Sequence, residues 1–155
     1  MRLDHLSYAA GPDGLEGTAE RIGAVLGRKF TDGGVHPRFG TRNMTLPLAG
    51  NTYLEVVEAL DHPASDKAPF GQAVKARSAL GGGWLGWVVA VTDISRVEAR
   101  LGRSAAIGSR HRPDGTERGL ETEVFHDARL QLVHFRRVAA QQSELIELGA
   151  DRALH

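Results

Sequence analysis

The chain has 155 residues, 41% of them hydrophobic and 25% charged, the proportions of an ordinary folded domain and not of a disordered, collagen-like or fibrous chain. Nineteen Lys and Arg balance nineteen Asp and Glu, and neither half of the chain carries the basic excess that nucleic acid requires. There are no cysteines, which excludes thiol catalysis, cysteine zinc sites and disulfide staples. The longest strongly apolar run, Trp84 to Val91, is far short of the ~20 residues that cross a bilayer, and no apolar signal core follows Met1. The expectation is a cytoplasmic protein with neither a membrane nor a nucleic-acid partner.

Arg2 to Ala10 alternates and is rich in strand formers, so it reads as a strand, broken by Gly11-Pro12-Asp13-Gly14. Leu15, Ala19, Ile22, Val25 and Leu26 recur at helical spacing, and Gly27 stops that helix. Three strands follow: Lys29 to Thr31 with Val35, Arg42 to Pro47, and Thr52 to Glu58. Turn signals at Asp32-Gly33-Gly34 and Ala49-Gly50-Asn51 separate them. Ala68 to Leu80 reads as a linking helix, and Gly81-Gly82-Gly83 as a flexible joint.

The second half repeats the order. Leu85 to Thr92 is a strand, and Ile94, Val97 and Leu101 mark a helix capped by Thr92 or Asp93 and ended by Gly102. Strands then follow over Ala105 to Arg110, Arg118 to Phe125 and Arg129 to Arg136, separated by Pro113-Asp114-Gly115 and His126-Asp127. Ser143 to Leu154 reads as an amphipathic C-terminal helix carrying Leu145, Ile146, Leu148 and Leu154. Its exposed face is a candidate dimer contact. The pattern is strand, helix, strand, strand, strand, twice, and each half is too small for a robust core of its own. The predicted class is α+β: two βαβββ modules, at about 2–60 and 84–136, form one domain over 1–138, followed by the C-terminal helix at 139–155.

This order resembles the vicinal oxygen chelate superfamily in its glyoxalase-like branch. The residues that carry the likeness are Leu3-Asp4-His5-Leu6, His36-Pro37-x-x-Gly40-Thr41-x-Asn43 and Tyr53-Leu54-Glu55-Val56-Val57, then Ala68-Pro69-Phe70-Gly71, Gly86-Trp87 and Arg112-Pro113-Asp114-Gly115. The resemblance implies paired cup-shaped mixed sheets, with metal ligands projecting inward from the first and fourth strands of each module. His5 and Glu55 are the candidates here, and their chemistry suits zinc, iron, manganese or nickel. A metal so held would polarise a carbonyl or chelate two vicinal oxygens. Sliding the first module along the second sets Trp87 opposite His5 and Gln131 opposite Glu55, with His134 three residues further on. Trp cannot ligate a metal and Gln is a feeble ligand, so the set is incomplete.

The remaining candidates surround that pair. Trp87 offers a flat aromatic surface to a ligand or fills the core. Tyr53 shares a face with Glu55, two residues away, and either donates to a ligand oxygen or lines the sheet. His36, extended by Pro37, is a candidate general acid or base, since its ordinary pKa suits proton transfer near neutrality. Arg42 or Asn43 would bind a carboxylate or carbonyl, while Thr41 is expected to satisfy the turn. His111 reads as part of a solvated hairpin, and no phosphate loop or nucleophile elbow is present. The expected function is a lyase, isomerase or dioxygenase acting on a carbonyl or vicinal-oxygen metabolite, with His5, Glu55 and His36 as catalytic residues. The alternative is a binding protein that holds an aromatic metabolite or drug between Trp87 and Tyr53.

Overall fold

The computed structural model describes residues 2–102, 107–111, 117–127 and 130–137, and the side chains of 2–100 and 102. The first module comprises β1 (Arg2–Ala9), α1 (Gly14–Leu26), β2 (Thr31–His36), β3 (Thr41–Pro47) and β4 (Tyr53–Ala59). Two linking helices follow, α2 (Pro63–Lys67) and α3 (Pro69–Ala79). The second module is β5 (Gly83–Val91), α4 (Ile94–Leu101), β6 (Ile107–His111), β7 (Glu117–Asp127) and β8 (Leu130–Arg137). The strands close in the order β1-β4-β3-β2-β6-β7-β8-β5. β1 runs parallel to β4, and β5 parallel to β8, so the two modules repeat one topology and meet along antiparallel β1 and β5. The opposite seam closes through β2 and β6, where Val35 pairs with His111. His111 ends β6 at this closure and pairs with Glu117 in the β6–β7 hairpin, where the sequence places it.

Strand alternation divides the sheet into an inner and an outer face. On the outer face α1 packs Leu15 and Ala19 against Ala10 and Val56. Gly27 ends this helix in the left-handed region, with its own N–H and that of Arg28 bonded back to Ala24 and Gly23. α4 covers Val89 and Val91 with Ile94 and Val97, and the Asp93 carboxylate caps it at Ser95. On the inner face α3 packs Phe70 and Val74 against Ala9, Val57 and Leu85. Ala9 and Val57 lie two residues beyond Ser7 and Glu55 on their strands, so α3 makes an apolar floor next to those polar positions.

Several boundaries differ from the sequence reading. Asp32-Gly33-Gly34 is a bulge inside β2, where the Gly34 N–H bonds the Asp32 carboxylate. The turn into β3 is instead at 37–40, closed by Gly40 at φ 62°. Gly81, Gly82 and Gly83 all have positive φ, and Gly83 already begins β5; a Cβ on Gly82 would stand 2.8 Å from the Ala9 carbonyl oxygen. α2 went unpredicted because it is a single short helix, begun by Pro63 and capped by the His62 side chain. His126-Asp127 belongs to β7 through a bulge opposite β8. The expected helix at 139–155 lies outside the described residues.

Candidate functional site

Four strands place polar side chains together above the floor made by α3. β1 supplies Asp4, His5 and Ser7, β3 supplies Thr41 and Asn43, β4 supplies Glu55, and β2 supplies His36; all are buried. Ser7 pairs with Glu55 across the parallel β1–β4 ladder, and its hydroxyl donates to Glu55 Oε2 at 2.6 Å. Asn43 Nδ2 donates to the other oxygen, Glu55 Oε1, which leaves the buried Asn43 Oδ1 without a hydrogen-bond partner. His5 Nε2 lies 3.6 Å from Glu55 Oε2, and its Nδ1 lies 3.0 Å from Asp4 Oδ2. Tyr53 stacks on the His5 ring with centroids 4.3 Å apart. His36 Nδ1 lies 3.2 Å from Thr41 Oγ1.

Successive strand residues normally face opposite ways, yet Asp4 and His5 are both buried. A register shift between Leu3 and His5 against β5 resolves this: the bulge turns Asp4 in behind the imidazole. Strand alternation in the sequence assigns Asp4 to the other face, so the sequence reading missed it. Ser7 was legible in principle, because it stands two residues from His5 on a strand. Thr41, expected to serve the turn, holds His36 instead.

The electrostatics follow from these contacts. Burial pushes the His5 pKa down, but the carboxylates of Asp4 and Glu55 outweigh it and hold the imidazole above its ordinary value. Both ring nitrogens face acceptor-only carboxylates, so the imidazolium, with two N–H donors, is the matching form. Burial raises Glu55, but the neighbouring His5 imidazolium, the charge of His36 and the Ser7 hydroxyl together hold its carboxyl well below the usual range. Glu55 is therefore an ionised anchor and a weak base. At 3.6 Å the His5–Glu55 contact is too long for a good hydrogen bond, which leaves the Nε2–H free to turn toward a ligand oxygen.

The sequence candidates thus separate by face. His5, Glu55, His36, Asn43 and Tyr53 come together. Trp87 does not join them: it pairs with Leu6 on the outer face and is 45% exposed, while buried Val88 stands across from His5. A second register shift, between Ser7 and Tyr8 against β5, accounts for Trp84 sharing that outer face. Arg42 also lies outside the cluster, where Glu58 and Glu16 hold it at 2.7 and 3.1 Å. In β8, Leu132 pairs with Gly86 and His134 with Val88; Gln131 precedes that register, and its side chain lies outside the described residues.

As a metal centre the cluster is incomplete among the described residues, and the side chains of β6, β7 and β8 lie outside them. Asp4 behind His5 is the kind of partner that orients a ligating histidine. Yet among the described residues no group of three or more His, Cys, Asp or Glu is placed to hold an ion, against the three protein ligands typical of catalytic zinc. What the cluster can do unaided is offer a cationic N–H and an orphan amide oxygen to a small polar ligand above an apolar floor.

Comparison with known proteins agrees with this architecture. No curated relative matches the chain. Among solved structures it is similar to a hypothetical protein from Bacillus halodurans C-125, at 18% identity and TM-score 0.59, covering 90% of this chain and 96% of that one. A Streptomyces coelicolor methylmalonyl-CoA epimerase in complex with 2-nitronate-propionyl-CoA gives 18% identity and TM-score 0.61, covering 90% and 99%. A methylmalonyl-CoA epimerase in complex with methylmalonyl-CoA and an ammonium ion gives 19% and 0.59, covering 90% and 95%. Identities this low establish the shared fold alone. The model of the glyoxalase-like domain matches residues 3–151, almost the whole chain, and the protein belongs to that family, within the vicinal oxygen chelate superfamily.

Proposed function

We propose that the protein is a small-molecule enzyme that moves a proton at a carbon next to a carbonyl, as in an isomerisation, an epimerisation or the first half of a lyase reaction. The observation that carries this reading is the His5 imidazolium between Asp4 and Glu55, with its Nε2–H only loosely held at 3.6 Å. A carbonyl oxygen replacing Glu55 at that N–H receives a positively charged donor, which stabilises the negative charge that grows as the adjacent carbon loses its proton. Glu55 keeps the imidazole charged between turnovers, and Ser7 and Asn43 hold Glu55. His36 is the second imidazole of the cluster, with its Nδ1 fixed by Thr41, and in its neutral form it accepts the proton.

The aromatic-binding alternative needs Trp87 and Tyr53 on one ligand, and those residues occupy opposite faces of the sheet. The reading is tested by assaying proton exchange and turnover on a panel of 2-oxo acids, α-hydroxy ketones and acyl thioesters. Both His5→Ala and His36→Ala should abolish turnover, while Trp87→Ala and Arg42→Ala should leave it within a few-fold of wild type. Turnover surviving both histidine variants would remove the proposed roles.

A further inference from the structure

On the outer face of the sheet, the core beneath α1 stops short on the side of β2 and β3. Ala19 packs there, but the last two turns of the helix line this side only with Gly23, Ala24 and Gly27. Gly23 cannot be larger: a Cβ on it would stand 2.5 Å from the Arg28 carbonyl oxygen, where the chain turns back past the helix. Phe30, just before β2, and Met44, on β3, form the other wall and are only partly buried. What remains is an open pocket of about 590 Å³, within the size range of small-molecule sites. Met44 follows Asn43 on β3, so the pocket lies behind the polar cluster, on the opposite face of the sheet.

The charges of this pocket are unevenly placed. Arg28 and Lys29 follow the helix directly and line one end, while Glu20, about 10 Å back along the helix from Gly27, lines the other. Arg21 and Arg42, also beside α1, are held by Asp13 and by Glu58 with Glu16. Arg28 and Lys29 have no carboxylate partner among the described residues. The helix end between them and the pocket is already satisfied, because the Gly27 and Arg28 N–H groups bond the Ala24 and Gly23 carbonyls that would otherwise repel an anion. We propose that this pocket binds a small organic monocarboxylate with an apolar body, aromatic or short acyl. Its carboxylate lies at Arg28 and Lys29, whose N–H donors match that group. Its body lies against Phe30 and Met44, over the bare face of Gly23 and Ala24. Glu20 at the far end selects against a second negative group there.

The probes are phenylbutyrate, octanoate and the neutral phenylbutanamide, titrated into the nitrogen-labelled full chain and followed by two-dimensional NMR. The proposal expects saturable shifts of the Gly23, Gly27 and Phe30 amide signals. Phenylbutyrate should bind at least about tenfold more tightly than its amide, and that preference should fall as salt rises. Arg28→Glu/Lys29→Glu, at two exposed positions, should abolish the preference. Ala24→Leu fills the pocket from an exposed helical position and should weaken both probes, while Glu20→Gln should tighten phenylbutyrate. The remainder of each spectrum shows that the variant is folded. No shift at these amides with either carboxylate, or equal binding of acid and amide, would overturn the proposal. Shifts confined to Ser7, Asn43 and Glu55 would overturn it too, and would assign the carboxylates to the polar cluster. So would shifts at the pocket amides that follow protein concentration without any probe, which would assign the pocket to a second copy.

Discussion

Replacing Glu55 by Ala tests whether the polar cluster is built as described. The side chain is 4% exposed and accepts from Ser7 and Asn43 while facing His5, so its removal leaves two buried donors and a buried cation without their acceptor. Each orphaned donor costs about 1–3 kcal/mol, and breaking a buried ion pair costs about 3–5 kcal/mol in total. The expected loss of folding free energy is therefore about 3–5 kcal/mol, or about 6–20 °C in Tm for a chain of this length. Glu55→Gln keeps one acceptor oxygen and should lose less. Urea denaturation followed by circular dichroism at neutral pH measures both variants, with Ser7→Ala as a control that removes one donor. A loss below about 1 kcal/mol in Glu55→Ala, the size of an ordinary substitution, would refute the bonded, ionised carboxylate.

Stability should depend on pH from both sides. The raised His5 pKa contributes stability that is complete below its unfolded value of about 6.5 and is lost as pH rises through the folded value. The lowered Glu55 pKa contributes stability that is present above about 4.5 and is lost as pH falls through the folded value. Melting curves across pH should show a maximum between these limits, and His5→Gln should flatten the alkaline side; an unchanged alkaline slope would remove His5 as its source. Gly71→Ala should cost about 1–3 kcal/mol by overpacking, because its Cβ would meet the Phe39 carbonyl oxygen at 2.5 Å and Ser65 Cα at 2.6 Å; a wild-type melt would contradict that packing. Among the described residues no group of three donors is placed to hold an ion, so zinc, manganese, nickel and ferrous iron should bind weakly. A saturable shift of about 5–10 °C with any of them would show that further donors complete the site.

The repeat was legible because hydrophobic period and glycine stops are local signals: Gly27 and Gly102 end their helices where the sequence predicts. His5 and Glu55 were legible only through family resemblance, since 50 residues of separation carry no local meaning. What stayed hidden depends on register. The bulge at Asp4 turns a residue of the wrong strand parity into the imidazole's partner, and the shift before Tyr8 keeps Trp84 and Trp87 on one face although they are three residues apart. Sliding one module along the other assumes unbroken alternation, so it sets Trp87 on the face of His5, whereas in the fold Trp87 pairs with Leu6 on the outer face. Arg42 and Asn43 are adjacent in sequence and therefore face apart: Asn43 reaches Glu55, and Arg42 reaches Glu58 and Glu16.

The central claim is that this cluster moves a proton next to a carbonyl, and wash-in of solvent deuterium measures that step whatever the product is. Each panel compound is incubated in D2O with the wild-type protein, His5→Ala and His36→Ala, and the α-proton signal is followed by NMR. The account predicts loss of that signal, faster than in buffer, for at least one class of compound with the wild type, and no acceleration with either variant. Exchange at the uncatalysed rate for a compound that calorimetry shows to bind at the cluster would contradict it.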